Sequence, residues 1–144
     1  MNFFLDSSFI IALADADDQF HERARELIEQ GNLQKTEKTI SDLVLSESVT
    51  GVAARLGQKA GMDVFENLFY DSKTKVVFLN KRLCERALHV YLKYGRKLSF
   101  ADVVSVRIMY DYKIKSIVSF DSDFDVVEGL SRIPKSPSGM PESR

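Results

Sequence analysis

The 144-residue sequence lacks the residues and runs that mark several common protein classes. Its single cysteine, Cys84, cannot form a disulfide within the chain. No apolar run approaches the roughly 20 residues that a membrane-spanning helix needs. The first residues also lack the succession of a basic region, an apolar run and a small-residue cleavage site that marks a secretory signal. We therefore expect a cytoplasmic protein with no membrane partner.

The chain also lacks an excess of charge of either sign. It has 20 Lys and Arg residues and 21 Asp and Glu residues, which gives a net charge of -1 at pH 7. Such a chain has no overall attraction for a polyanion. Any binding of nucleic acid must therefore be local or assisted by a metal ion. The two histidines, His21 and His89, lie near no motif. Gly57 and Gly61 form neither a dinucleotide-binding fingerprint nor a P-loop, which disfavours binding of a nucleotide cofactor.

Proline is absent from most of the chain, since all three prolines lie between Pro134 and the C-terminus. This stretch has little apolar content, which predicts a flexible tail over residues 134–144. The remaining residues, 1–133, fit one ordinary domain, because 44% of the chain is hydrophobic and its length suits a single core.

Short apolar runs alternate with longer segments of helical periodicity. The predicted strands are Asn2–Leu5, Thr36–Ile40, Lys75–Leu79, Ile117–Phe120 and, more weakly, Leu130–Ile133. The predicted helices are Ser7–Ala14, Phe20–Gln30, Ser41 or Asp42 to Leu56, Met62–Tyr70, Arg82–Tyr94 and Phe100–Tyr112, with Gly57 and Gly61 marking a break. This order predicts an α/β fold with right-handed crossovers, a mainly parallel sheet and helices on both faces.

Four acidic residues lie at or near the starts of predicted helices: Asp6, Glu47, Asp102 and Asp121. Asp6 and Asp121 directly follow strands, which places them at the carboxyl edge of the sheet, where open α/β folds bind ligands. Glu47 interrupts the apolar stripe of its helix, where burial would be costly without a cation. Crowded carboxylates need a cation to offset their repulsion, and oxygen ligands suit hard ions such as Mg²⁺ or Mn²⁺.

Each acid also has a simpler structural explanation. Asp6 and Asp121 have the positions of helix N-caps or Asx-turn residues. Ser99 and Asp102 have the spacing of a capping box, in which the acid bonds back to the backbone of the cap. These explanations fit Glu47 less well than the other three acids. The metal-site hypothesis depends on all four acids converging at one edge of one sheet.

The constellation resembles the PIN domain, a family of metal-dependent ribonucleases that includes the VapC-type toxins of toxin–antitoxin pairs. The resemblance extends over roughly residues 2–133. It depends on four segments in order, with a weaker similarity in residues 19–24 (QFHERA): residues 4–8 (FLDSS), 41–47 (SDLVLSE), 98–104 (LSFADVV) and 117–124 (IVSFDSDF).

The resemblance implies a three-layer α/β/α fold around a parallel sheet of four or five strands. It also implies that the four acids bind Mg²⁺ or Mn²⁺ and support RNA hydrolysis. Ser7 and Ser119 match hydroxyl positions beside the first and fourth acids, and Asp123 falls at a frequently polar position. The resemblance further suggests an RNA substrate, a cognate antitoxin protein and a homodimer.

A local basic segment extends from Lys81 to Lys97, where six basic residues accompany one acidic residue. Phosphate contacts are plausible there. A solvated helix face with cations near its C-terminus explains the same pattern. The candidate RNA-binding residues are Arg82, Arg86, Lys93, Arg96 and Lys97.

Two functions from different classes fit these observations. The first is a metal-dependent endoribonuclease, and the second is a non-catalytic or RNA-processing module that binds RNA or a protein partner. A phosphoaspartate enzyme is disfavoured because Ser8 stands where a second acid would follow Asp6 by two residues. Metal-dependent RNA cleavage separates the two remaining functions.

Overall fold

The structure is a computed structural model that describes residues 2–135. Its strands are β1 (Asn2–Leu5), β2 (Glu37–Ser41), β3 (Thr74–Val77), β4 (Ser116–Val118) and β5 (Ser131–Ile133). Its helices are α1 (Ser7–Ala14), α2 (His21–Gly31), α3 (Asp42–Leu56), α4 (Gln58–Phe69), α5 (Lys81–Tyr94) and α6 (Phe100–Asp111). Short 3₁₀ turns occupy Leu33–Lys35 and Ser122–Val126.

All five strands form one parallel sheet in the order β3-β2-β1-β4-β5. The prediction of a parallel sheet with four or five strands is therefore confirmed, and the weakly predicted last strand is its fifth member. In the register of the two central strands, Phe4 lies opposite Ile117 and Leu5 opposite Val118. The strand order reverses between β1 and β4, so the residues that follow these two strands lie at the topological switch point of the sheet.

Helices cover both faces of the sheet, as predicted. The chain moves in one direction across the sheet from β1 to β2 to β3, and right-handed crossovers therefore put α1 to α4 on one face. It then returns past β1 to β4, which puts α5 and α6 on the other face. The helices pack accordingly, α1 against α2 and α3, α3 against α4, and α5 against α6.

Side-chain caps explain where several helices begin. The Ser41 hydroxyl accepts a hydrogen bond from the backbone N–H of Val44 at 3.0 Å, so Ser41 is the N-cap of α3. Asn80 caps α5 through a 2.8 Å bond from the N–H of Leu83. The residues at these positions therefore determine where the two helices begin.

The prediction that Gly61 belongs to a break between two helices is wrong. Gly57 is the break, with a φ of 98°, whereas α4 begins at Gln58 and continues through Gly61. Gly61 is buried where α4 meets α3, and a Cβ there would lie 3.0 Å from the Ala53 side chain and from the Val49 carbonyl. Its role is close helix packing, which a single sequence does not distinguish from a helix stop.

The core lies on both faces of the sheet and includes a buried aromatic group beside the carboxyl edge of β4. The Phe20 and Phe120 rings stack with centroids 4.5 Å apart, and Phe120 separates Ser119 from Asp121. This packing fixes the backbone from which the fourth acid projects. Within residues 2–135, every helix is too short or too polar to cross a bilayer.

Of the predicted tail over residues 134–144, the structure describes Pro134 and Lys135, and the rest lies outside the described residues. Pro134 is buried beside the end of β5, and its carbonyl accepts a 3.0 Å hydrogen bond from Arg132. The domain boundary at residue 133 stays a prediction.

Candidate metal centre

Asp6 is the central acid of the site. It follows β1 directly, its backbone N–H bonds the Val118 carbonyl of β4 at 3.0 Å, and only 7% of its surface is exposed. It occupies the N-cap position of α1 without a side-chain capping bond. Its carboxylate accepts hydrogen bonds from serine side chains instead.

Two hydroxyls hold one oxygen of the Asp6 carboxylate. Ser119 Oγ donates to Asp6 Oδ2 at 2.7 Å, and Ser8 Oγ donates to the same atom at 2.8 Å. Both hydroxyls also accept backbone N–H bonds at 3.0 Å, Ser119 from Asp121 and Ser8 from Phe120. The first acid and the backbone of the fourth are thus joined through two serines.

Ser119 was predicted as a supporting residue and Ser8 was not, and both contact Asp6. The supporting role of Ser119 stays a prediction. A serine two positions after an acid at a helix start has no distinctive sequence signal, because such residues are common in the first turn of helices.

Asp121 follows β4 after Ser119 and Phe120, two residues beyond the position that is level with Asp6 in the sheet. Its Oδ1 accepts a 2.9 Å bond from the backbone N–H of Asp123, so it does make the Asx turn that its position predicted. Asp123 contributes its negative charge, which raises the pKa of Asp121.

Asp102 lies in the first turn of α6 and forms the predicted capping box with Ser99. The Asp102 N–H bonds Ser99 Oγ at 3.2 Å, and Asp102 Oδ2 accepts from the Ser99 N–H at 3.3 Å. The capping explanation and the metal-site explanation are therefore both compatible with its position. One oxygen of Asp102 accepts the capping hydrogen bond. The charges of Asp6 and Asp121 add to the effect of burial in raising the pKa of the same carboxyl group.

Glu47 reaches the site through Ser7. Ser7 Oγ donates to Glu47 Oε1 at 2.5 Å, which joins α3 to the first turn of α1. Glu47 is exposed, so the burial cost considered from its sequence position does not arise. Its charge nevertheless acts on Asp6 and contributes to the raised pKa of that carboxyl.

Burial raises the pKa of Asp6, Asp102 and Asp121 and is the largest influence on each of them. Mutual repulsion adds to this effect, since the charge on Asp6 raises the pKa of Asp102 and of Asp121. The pKa of Asp102 reaches about 6. Hydrogen bonds from Ser119 and Ser8 lower the pKa of Asp6 but do not cancel its burial.

The chemistry of these residues fits a divalent cation. Within residues 2–135, no three acidic, histidine or cysteine side chains are grouped closely enough to hold a metal ion together. Mg²⁺ keeps several waters and typically takes one or two protein carboxylates, so it does not require such a group. These carboxylates repel one another and have raised pKa values, and a cation would stabilise their ionised form. Their oxygen atoms suit Mg²⁺ or Mn²⁺.

Arg132 contacts the backbone of the site at Ser119 and was not predicted as a site residue. It is buried in β5, pairs with both oxygens of Asp125 at 2.8 and 3.1 Å, and donates to the Ser119 carbonyl at 3.2 Å. Its charge also lowers the pKa of Asp121. A lone arginine in a three-residue strand gives too little periodicity to be recognised in the sequence.

The predicted RNA-binding residues lie at two ends of α5. Arg86 pairs with Asp111, the last residue of α6, which is about 14 Å along the helix from Asp102. Arg82 lies one turn before Arg86, near the start of α5. Three others, Lys93, Arg96 and Lys97, lie at the opposite end, where α5 leads into α6. Their role in RNA binding stays a prediction.

Solved structures with this fold include toxins and toxin–antitoxin complexes. VapC20 from Mycobacterium tuberculosis, a sarcin-ricin loop cleaving toxin, is 26% identical with a TM-score of 0.77, over 89% of this chain and 96% of that chain. The DNA-bound VapBC of Salmonella typhimurium is 17% identical, with a TM-score of 0.66, over 92% and 96% of the two chains. VapBC2 of Rickettsia felis, bound to a DNA fragment from its promoter, is 12% identical, with a TM-score of 0.64, over 92% and 97%.

The last two similarities show the fold alone, because their sequence identity is low. No curated protein matches the sequence. The sequence pattern of the PIN domain matches residues 3–130, which is most of the chain and includes all four acids. The protein therefore belongs to the PIN domain family, whose members are nucleases.

Proposed function

We propose that this protein is an endoribonuclease that depends on Mg²⁺ or Mn²⁺ and serves as the toxin of a toxin–antitoxin pair. The observation that carries the proposal is the carboxyl group of Asp6. It is buried at the switch point of the sheet, held by two serines, and electrostatically linked to the three other acids. Membership of a nuclease family and likeness to VapC20, a sarcin-ricin loop cleaving toxin, support the same function.

In this proposal Asp6, Asp102 and Asp121 hold the cation, directly or through water. When bound, the cation supplies a Lewis acid for the phosphodiester and lowers the pKa of water. Ser119 and Ser8 fix Asp6 by donating hydrogen bonds to its Oδ2 atom, and in this proposal Oδ1 binds the cation. Glu47 is held at the edge of the site by Ser7 and orients the attacking water or accepts its proton.

The test is cleavage of single-stranded and structured RNA by purified protein, with Mg²⁺, with Mn²⁺ and with EDTA. Cleavage should require the metal and should fall at least about 100-fold in Asp6→Asn, because even changes next to metal ligands cost about 10- to 100-fold. Asp63→Asn is the matched control, since Asp63 is an exposed acid that pairs with Lys59 on α4. Intact RNA, bound equally by all variants, would favour the non-catalytic module.

The toxin assignment needs a protein inhibitor as well as an active site. Three of the similar structures are toxin–antitoxin or VapBC complexes, which supports a cognate partner for this chain. We expect the product of an adjacent small reading frame to bind the protein and abolish cleavage. Cleavage that persists with every neighbouring gene product would indicate an RNA-processing nuclease instead. The proposal includes a homodimer, which sedimentation equilibrium can test.

A further inference from the structure

Two aromatic rings are exposed beside the helix that carries Asp102. Tyr91 on α5 is 40% exposed and Phe100, the first residue of α6, is 39% exposed. Their ring centroids are 6.1 Å apart with the planes inclined by 56°. Exposed rings of this size, held by each other and not buried in the core, present π-faces to the solvent.

Neighbouring tyrosines have structural roles that these two lack. The Tyr94 hydroxyl accepts a 3.2 Å bond from the Glu128 N–H, and the Tyr110 hydroxyl donates to the Glu128 carbonyl at 3.0 Å. Both therefore hold the segment before β5 against the two helices. Tyr91 and Phe100 contact each other and leave much of their surfaces uncovered.

Two unpaired cations lie between the aromatic residues along the chain. Arg96 and Lys97 are exposed in the connection from α5 to α6, and neither contacts an acidic side chain in the part of the chain that the structure describes. Lys93, by contrast, lies 3.4 Å from Glu128 and 5.3 Å from the centre of the Tyr94 ring. The positive charge of Arg96 and Lys97 therefore lies between the two exposed rings along the chain.

The position of this surface relative to the acids follows from helix geometry. Phe100 precedes Asp102 by two residues, so their side chains leave α6 on nearly opposite sides, about 200° apart. A base on Phe100 would therefore not contact the cation held by Asp102. It would belong to a nucleotide that flanks the reacting phosphate, on the side of α5.

We propose that Tyr91, Phe100, Arg96 and Lys97 form a docking surface for unpaired nucleotides of the RNA substrate. The two rings stack bases, and the two cations contact the phosphates on either side of them. This inference depends on the proposed nuclease function and assigns part of the RNA contact to four residues outside the acidic site. Charge favours RNA over a second copy of this chain, because RNA carries a negative charge on every phosphate, whereas a second copy has a net charge of only -1 and the same basic surface.

Binding of RNA in EDTA tests the surface apart from catalysis. Fluorescence anisotropy would compare a labelled 12-nucleotide oligouridine with a blunt 12-base-pair RNA duplex. Phe100→Leu keeps an apolar side chain but removes the π-face, and we expect it to weaken oligouridine binding about tenfold. Tyr91→Leu should have a similar effect, and duplex binding should change less than twofold in both.

Two control variants separate stacking from other effects. Phe100→Tyr keeps an aromatic face and should retain oligouridine binding. Leu92→Ala removes a leucine that is 77% exposed on the same helix, next to Tyr91, and should also bind normally. Circular dichroism melting of each variant would show that the fold is retained, as expected for side chains with this exposure.

Three results would overturn the inference. The first is unchanged oligouridine binding by Phe100→Leu and Tyr91→Leu, and the second is an equal loss on single strands and duplex. The third is a fall in sedimentation mass in these variants, which would assign the surface to self-association. Metal-dependent cleavage by the unaltered protein, together with any of these results, leaves the proposed nuclease function intact and rejects the docking surface alone.

Discussion

The carboxyl of Asp102 is costly to ionise in the metal-free protein. Its pKa in the folded chain is about 6, compared with 3.8 for an unperturbed aspartate. Below pH 3.8 the group is protonated in both the folded and unfolded states and has no effect on stability. As the pH rises, the unfolded chain ionises first, and above pH 6 the folded state carries the unfavourable charge.

We therefore predict that Asp102→Asn stabilises the metal-free protein at pH 7.5. The asparagine keeps the oxygen that caps Ser99 and cannot ionise. The free energy of unfolding should rise by about 1 to 2 kcal/mol, less than the full shift implies because the group is partly exposed. Urea unfolding in EDTA at pH 7.5 and at pH 4 measures the effect. A gain of equal size at both pH values would contradict the assigned cause.

Ser119 is predicted to matter for activity more than its size suggests. Ser119→Ala removes a donor to Asp6 and the acceptor for the Asp121 N–H, so it loosens two acids at once. Cleavage should fall about 10- to 100-fold, the range found when groups that orient metal ligands are removed. Ser119→Thr should retain more activity, and Ser72→Ala, at an exposed serine before β3, should leave the rate unchanged.

At the scale of the helices, close packing of α3 and α4 depends on Gly61. A Cβ at this position lies 3.0 Å from a backbone carbonyl, so the helices must separate to accept alanine. Gly61→Ala should lower the free energy of unfolding by about 1 to 3 kcal/mol, as for other overpacked sites. Chemical denaturation measures this change.

Gly31→Ala is the matched control for Gly61→Ala. Gly31 ends α2, and a Cβ there meets only the Leu33 side chain at 3.6 Å. Alanine also favours the helix over glycine, so the control should be neutral or slightly stabilising. If both variants lost the same stability, helix propensity or the unfolded state would explain the result, and close packing would not.

The elements most clearly encoded in the sequence were those with local signals. Asp6 and Asp121 follow apolar runs that form adjacent central strands, and the Ser99 capping box marks the start of α6. Gly61 was misjudged because a glycine that marks a helix stop and one that fits a helix contact look alike without the partner helix. Arg132 was missed because its partners Asp125 and Ser119 become neighbours only in the folded sheet.

On the scale of the whole molecule, a protein of net charge -1 should bind RNA through few phosphates. Contacts of Arg96 and Lys97 with two phosphates predict a slope of about -1.4 for the logarithm of affinity against the logarithm of salt concentration, because each contact to a single strand contributes about -0.7. Oligouridine titrations in EDTA between 50 and 200 mM salt, concentrations of the order used for such slopes, measure this value.

Charge variants identify which residues cause the slope. The double variant Arg96→Gln with Lys97→Gln should bring the slope close to zero. Arg82→Gln is the control, because Arg82 is exposed near the N-terminal end of α5, whereas Arg96 and Lys97 follow its C-terminal end. A slope that falls with Arg82 and not with the pair would place the RNA on the other end of this helix.

The central claim is that acids from separate parts of the chain share one divalent cation at the carboxyl edge of the sheet. Crystals soaked in MnCl₂ and measured near the manganese absorption edge test this claim most directly. The account predicts an anomalous peak among Asp6, Asp102 and Asp121 that is absent in Asp6→Asn. A peak confined to other surfaces, or an equal peak in Asp6→Asn, would contradict it.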